Sequence, residues 1–408
     1  MDVLETLRQR GFINQLTDEK EIENDLNNKQ ISFYAGYDGT ANSLHIGNLV
    51  TIMALRHLQK AGHKPIVLVG GGTTRIGDPS GKTETRKVLS ESNIDENAQA
   101  IKLQLSKYLD FSEGKALLVN NADWLLGINY ISFLRDIGTH FSVNRMITSE
   151  TYRSRLDKNE TLSFIEFNYQ ILQAYDFYIL NKEHNCTLQV GGSDQWGNIV
   201  AGIDLTRRIS GNHIYGMTFP LVTNADGSKM GKSVSGAIWL DENKVSPYDY
   251  YQYWINVDDR DVKKFLLLFT ELPLDEIESL SQLEGADIRK AKQVLALEAT
   301  KITHGEEKAQ QAIKQSEVFV GNTENAPEKM LKSEQFTNGE ISLIDIFNII
   351  EFHKSKGEAR RLIQQGGARV NGDKIQDIDF KVKIDEIQKQ AVIVQSGKKK
   401  RAKLTIEN

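Results

Sequence analysis

The chain has 408 residues, too long for one ordinary domain, and an apolar content of 39%, enough to bury cores. Its net charge of −5 is mildly acidic, which argues against a generally basic nucleic-acid binder. Cys186 is the single cysteine, so no disulfide forms within the chain, which fits a reducing, cytoplasmic setting; no run of about 18 apolar residues is present to span a membrane.

Residues 1–11 mix Asp2, Glu5, Arg8 and Arg10 with leucines and read as an amphipathic helix, not a signal peptide. A short strand is expected at 31–35, then a glycine turn and a helical stretch from about 46 to 61. Apolar runs at 65–69, 116–119 and 187–190 have strand length. Strands separated by helical segments imply a parallel sheet covered on both faces, which binds ligands beyond the carboxyl ends of its strands. Polar, glycine-rich turns follow three of these runs, at 36–40, 70–81 and 191–194. After Ser233 the texture changes: 247–270 and 274–316 read as helices, 321–338 as a polar linker, and 339–408 as a compact module. Residues 341–408 hold 14 Lys and Arg against nine Asp and Glu, which suggests that this basic end meets a polyanion or is simply a solvated surface.

Two motifs mislead. Residues 77–83 look like a Walker A loop, but only three residues separate the glycines and Pro79 removes a donor. Gly70-x-Gly72 meets Arg75 where a dinucleotide fingerprint needs glycine. Two others carry more. Leu44-His45-Ile46-Gly47-Asn48 opens a helix after a strand and turn, with His45 and Asn48 on one face of an N-terminus suited to phosphates. Gly47 admits a flat purine, and Thr40 adds a hydroxyl. Residues 226–233 place Lys229 and Lys232 among glycines, able to swing onto a polyphosphate. Taken alone, the first fits a plain helix start with a surface histidine equally well, and the second a solvated turn. Tyr169, Gln173 and Asp176 share one helical face, either solvent-facing or lining a wet pocket.

In this order and spacing, the two stretches resemble the HIGH and KMSKS signatures of class I aminoacyl-tRNA synthetases. Residues 34–38, 77–82, 167–176 and 190–198 narrow the resemblance to the bacterial-type tyrosyl-tRNA synthetases, over nearly the whole chain. Asn48, Gly231 and Gly39 depart from the usual histidine, serine and proline of that pattern. The resemblance implies an α/β fold in which a Rossmann-like catalytic domain (1–225) precedes an α-helical, anticodon-binding domain (226–320), a linker (321–338) and a small α+β S4-like RNA-binding domain (339–408). It implies that ATP and L-tyrosine give tyrosyl-adenylate and diphosphate, and that the tyrosyl group then passes to the 3′ end of tRNA(Tyr).

The resemblance also implies roles. Thr40, His45, Lys82, Arg86, Lys229 and Lys232 would act on the phosphates. Tyr34, Asp78, Tyr169, Gln173, Asp176 and Gln195 would hold tyrosine. Gly36, Asp38, Gly39, Gly47, Asn48, Asp194, Met230, Gly231 and Ser233 would join Thr40, His45 and the two loop lysines around ATP. Lys354, Lys356, Arg360 and Arg361 lie in the S4-like stretch and would meet tRNA. Mg²⁺ is expected on ATP and not in a protein metal site, and a homodimer is implied. The alternatives are the related tryptophan enzyme, which has no use for a Tyr34–Asp176 pair, and a non-catalytic RNA-binding relative.

Overall fold

The computed structural model describes residues 2–80, 90–228, 230–233, 236–320, 326–353, 355–389, 392–397 and 400–407. They form two compact units, 1–306 and 307–408.

The first unit is built on a six-stranded sheet: β1 (Gln15–Leu16), β2 (Ser32–Tyr37), β3 (Lys64–Val69), β4 (Leu117–Asn120), β5 (Cys186–Gly192) and β6 (Tyr215–Phe219). The spatial order is β1-β6-β5-β2-β3-β4, parallel except for β1. The four strands expected from the sequence are present. The sequence does not announce β6, because Gly216 and Met217 dilute its β-forming signal; its last four residues are nevertheless buried. From β2 the chain runs outward through β3 to β4, then returns to β5 on the opposite side of β2. A crevice therefore opens beyond the carboxyl ends of β2 and β5, where the strand order reverses.

The Phe164–His184 helix crosses this sheet and is fixed at both ends. Ser163 and Glu166 close a capping box, and Asn185 stops the helix in the left-handed region at φ 52°. Glu166 is buried and pairs with buried Arg155 at 3.0 Å. Burial alone would lift the Glu166 carboxyl, but hydrogen bonds from Ser163 and the Arg155 charge outweigh it and hold the group below its usual range.

The expected helix over 247–270 is interrupted. Pro247–Ile255 ends, Asp258 accepts a hydrogen bond from Arg260 N, and Val262–Phe269 begins in a new direction. The break lets Trp254 pack edge-on to Phe265, with centroids 5.8 Å apart, and against Phe269 at 5.1 Å. The expected helix over 274–316 is likewise divided, into Leu274–Ser281, Ile288–His304 and Glu306–Val320.

The second unit contains a five-stranded sheet in the order Asp373–Ile375, Ala368–Val370, Val392–Ser396, Lys400–Glu407, Glu328–Lys332. The helices Leu343–Ile349 and Lys356–Gln364 contribute Phe347 and Ile363 to one core with Leu331 and Leu404. Part of the stretch expected as linker is thus an edge strand. The sequence around Pro327 is polar, but Leu331 points into the core while its neighbours stay exposed.

Replacing Arg155 with Met would leave the Glu166 carboxylate buried without its cation. Urea denaturation of Arg155→Met is expected to show a loss of ~3 kcal/mol; a change below ~0.5 kcal/mol would contradict the role given to this pair.

Candidate active site

Tyr34 sits mid-way along β2, 1% exposed, with its ring 5.2 Å from that of Phe177. Its hydroxyl is buried and has no hydrogen-bond partner among the described residues. Burial, and then the nearby Asp176 carboxylate, keep that phenol protonated well above its usual range. Asp176, on the Phe164–His184 helix, is also buried. Trp124 Nε1 donates to Asp176 Oδ1 at 2.8 Å, and Asn121 Nδ2 donates to Oδ2 at 3.0 Å. Burial pushes the Asp176 carboxyl up to about 7, although both hydrogen bonds favour the ionised form. A buried hydroxyl without a partner beside a buried carboxylate is an arrangement that a ligand hydroxyl would complete.

A second polar chain runs alongside. Gln195 Nε2 donates to Asp78 Oδ2 at 3.0 Å, and Gln173 Nε2 donates to Gln195 Oε1 at 3.2 Å. Asn198 Nδ2 reaches Gln173 Oε1, Gln195 Oε1 and Ser80 Oγ at 3.0, 3.1 and 3.3 Å. Ser80 N closes the loop onto Asp78 Oδ1 at 2.9 Å. Burial first, and the charge of Asp38 second, push the Asp78 carboxyl up to about 6. Tyr169 is buried one helical turn before Gln173, and Asp194 lies in the short helix Ser193–Gln195 that leaves β5. The network thus spans the crevice from the β3 side to β5, and Asp78 offers an anionic site suited to an ammonium group.

The third cluster surrounds His45. Gly47 N donates to His45 Nδ1 at 3.0 Å, and His45 N donates to Asn48 Oδ1 at 3.1 Å, a capping box at the helix start. With Nδ1 accepting, a neutral His45 carries its proton on Nε2 and is a donor there. Asn48 commits its carbonyl to the main chain, which separates its structural part from any contact with a ligand. The expected helix from 46 starts as one 3₁₀ turn, Ile46–Asn48, and continues as Leu49–Lys60.

The lysine-bearing stretch lies against this turn. Ile46 N donates to Ile238 O at 2.9 Å, Leu240 N to Leu44 O at 2.9 Å, and Ile238 N to Gly231 O at 3.0 Å. Gly231 has φ +89°, and a Cβ there would come 2.6 Å from Ile46 Cγ2. The departure from serine at 231 therefore has a steric reason in this chain. Met230 is buried beside it. The root of the stretch is also held: Ala225 N donates to buried Asp261 Oδ2 at 2.8 Å, and Lys264 Nζ to Thr223 O at 2.7 Å.

Of the other residues singled out, Gly36 and Thr40 are exposed near the end of β2, and Gly39 N donates to Thr74 Oγ1 at 3.0 Å. The Lys232–Ser233 main chain forms a two-residue strand with Gly236–Ala237. Lys356, Arg360 and Arg361 lie exposed on the Lys356–Gln364 helix of the second unit, whose other face buries Ala359 and Ile363. Lys82, Arg86, Lys229 and Lys354 fall outside the described residues. Sequence reasoning did not single out Asn121, Trp124, Asn198 or Ser80. Asn121 follows the end of β4, where ligand-directed groups are expected, and Asn198 closes one of the stretches that carried the resemblance. Nothing in the local sequence marks Trp124.

Residues 26–321 match the family of class I tRNA synthetases (W and Y), and residues 322–403 match the tyrosine--tRNA ligase SYY-like C-terminal domain. The tyrosine--tRNA ligase of Clostridium botulinum (strain Loch Maree / Type A3) is 51% identical over the whole of both chains. The chain belongs to the tyrosyl-tRNA synthetases. That of Clostridium tetani is 50% identical over all of this synthetase and 99% of its relative. The C-terminally truncated mitochondrial tyrosyl-tRNA synthetase of Aspergillus nidulans superposes with a TM-score of 0.69 at 30% identity, over 78% of this chain and 93% of that one. The fold and the aminoacyl-tRNA synthetase class expected from the sequence are those of these relatives. Among the described residues, no helix is long and apolar enough to cross a membrane, and no three His, Cys, Asp or Glu side chains are grouped to hold a metal.

A carboxyl whose folded pKa is raised favours the fold while protonated. For Asp176 that stability is present below the unfolded value of about 4 and is lost as pH rises through about 7. Relative to the natural chain, Asp176→Asn should gain ~2 kcal/mol between pH 5 and pH 8 in urea denaturation. A pH-independent difference would show that Asp176 is not protonated by burial.

Proposed function

We propose that this synthetase condenses L-tyrosine with ATP to tyrosyl-adenylate and diphosphate, and then transfers the tyrosyl group to the 3′ end of tRNA(Tyr). The observation that carries the choice of tyrosine is the buried, partnerless Tyr34 hydroxyl beside Asp176. A substrate phenol donates to the Asp176 carboxylate and accepts from the Tyr34 hydroxyl. Phenylalanine leaves the Tyr34 hydroxyl unpaired and brings Asp176 no further donor in a desolvated site, and tyrosyl-tRNA synthetases are themselves the standard example of such discrimination. Tryptophan offers one N–H and nothing for Tyr34 to donate to. Asp78, Tyr169 and Gln173 hold the substrate ammonium, and Gln195 orients its carboxylate.

The carboxylate is ionised at neutral pH and needs no base. Its oxygen forms a bond to the α-phosphorus while the bond to the bridging oxygen breaks, and diphosphate leaves with the electron pair. Catalysis is then positioning and charge stabilisation. Thr40 and the His45 Nε2 proton act on the departing phosphates. Lys82, Arg86, Lys229 and Lys232 supply positive charge. Gly36, Asp38, Gly39, Gly47, Asn48, Asp194, Met230, Gly231 and Ser233 line the nucleotide. Mg²⁺ enters as the counter-ion of the ATP substrate. In the second step a ribose hydroxyl attacks the adenylate carbonyl carbon, AMP departs, and no side chain is an essential base.

Exposed Lys356, Arg360 and Arg361, with Lys354, form the tRNA-binding face of the S4-like module, and the helices after residue 240 meet the anticodon end. We also propose a homodimer. Most of the exposed large apolar side chains among the described residues fall between 126 and 165, and Ile131, Val143 and Phe164 are each more than half exposed, apolar surface that a second copy would cover. The compartment consistent with one buried, reduced cysteine is the cytoplasm.

Amino-acid-dependent ATP–pyrophosphate exchange tests the first step. Exchange is expected with tyrosine and not with phenylalanine or tryptophan, and Asp176→Asn should erode that preference by roughly tenfold or more. Exchange with tryptophan, or with none of the three, would overturn the assignment. Because residues 328–332 belong to the C-terminal sheet, a truncation must precede them: removing 321–408 should abolish tRNA charging while leaving exchange within about threefold of the full chain. Equal loss of both would contradict a separate tRNA module.

A further inference from the structure

The stretch from Gly39 to Leu44 carries Thr40 and delivers the chain to His45. It belongs to no helix or strand, and side chains supply main-chain partners at both of its ends. Besides Thr74 Oγ1 at Gly39 N, they come from one helix, Glu91–Leu105. Asn97 Nδ2 donates to Gly39 O at 2.7 Å. Seven residues on, nearly two full turns and therefore on the same face, Gln104 Oε1 accepts from Leu44 N at 2.8 Å. Gln104 Nε2 donates to Ser43 Oγ at 3.0 Å, and Ser43 Oγ donates to Leu44 O at 2.8 Å. Leu44 N can only donate, so the orientation of the Gln104 amide is fixed by its partner. Gln104 is 7% exposed and Ser43 4%, so no water competes readily for these bonds.

We propose that Asn97 and Gln104 are positioning residues that clamp the two ends of this loop, and so set where Thr40 and His45 meet the nucleotide. The inference rests on the reading of residues 39–48 as part of the nucleotide site. Two neutral amides suit the task. They satisfy main-chain donors and acceptors without adding a charge that would attract or repel the phosphates nearby. Ile94 of the same helix lies under Gly39, where a Cβ would stand 3.5 Å from the Ile94 carbonyl oxygen, so one rigid element supports the loop along its length.

The test uses the full-length protein in tyrosine-dependent pyrophosphate exchange. Gln104→Met keeps the side-chain length and removes both hydrogen bonds; Asn97→Ala removes the other contact. Each is expected to lower kcat/KM for ATP by about tenfold, while KM for tyrosine stays within about twofold of the natural chain. In the Gln104→Met background, Thr40→Ala should cost less than it does alone, because the hydroxyl is already misplaced. If the natural chain exchanges but the variants affect ATP and tyrosine equally, or affect neither, or if the Thr40→Ala cost is additive, the clamp is overturned. If the natural chain shows no exchange, the functional reading fails first. Should Gln104→Met not fold, Asn97→Ala, whose side chain is half-buried, decides by the same comparison.

Discussion

The contact on which the site depends is a short run of main-chain hydrogen bonds between segments nearly 200 residues apart. Leu44 and Ile46 pair with Ile238 and Leu240, and Ile238 in turn pairs with Gly231. These bonds bring the capped helix start at His45 next to Gly231 in the lysine-bearing stretch. In the proposed nucleotide site, neither segment would bind a polyphosphate well by itself, since one lacks cations and the other lacks a fixed frame; joined, they would supply both. The tightness of the join is why residue 231 is glycine: a side chain there would run into Ile46.

The sheet places the Tyr34–Asp176 pair beside this junction. β2 carries Tyr34, its end leads directly into the 39–48 segment, and β5 leads into Asp194 and Gln195. The reversal of strand order between β2 and β5 leaves their carboxyl ends uncovered by a crossover. One topological feature therefore brings Gln195, the Tyr34–Asp176 pair and the 39–48 segment to one crevice.

Much of this was legible beforehand because it follows from local rules. β3 is apolar without alternation, as a strand buried on both faces must be, and the glycine-rich turns fall at strand ends. The spacing of Tyr169, Gln173 and Asp176 put them on one face, but could not say whether that face met solvent; buried neighbours from other elements decided it. Trp124 and Asn121 illustrate the limit. Their partner Asp176 is more than 50 positions away, and no local pattern encodes a hydrogen bond across that distance. Strand Glu328–Lys332 illustrates another. It is read as linker because only Leu331 is apolar and inward, and its order comes from pairing with Lys400–Glu407.

That last pairing has a consequence for how the protein is made. The strand at 328–332 and its neighbour at 400–407 run parallel and are separated by residues 333–399, about two thirds of the second unit. As the chain leaves the ribosome, the first of them has no hydrogen-bonding partner until the second emerges, and the loop to be closed is long. The first unit has all of its strands available by residue 237, so it can complete its sheets while the second is still incomplete. Synthesis would thus deliver a finished first unit before a finished second one.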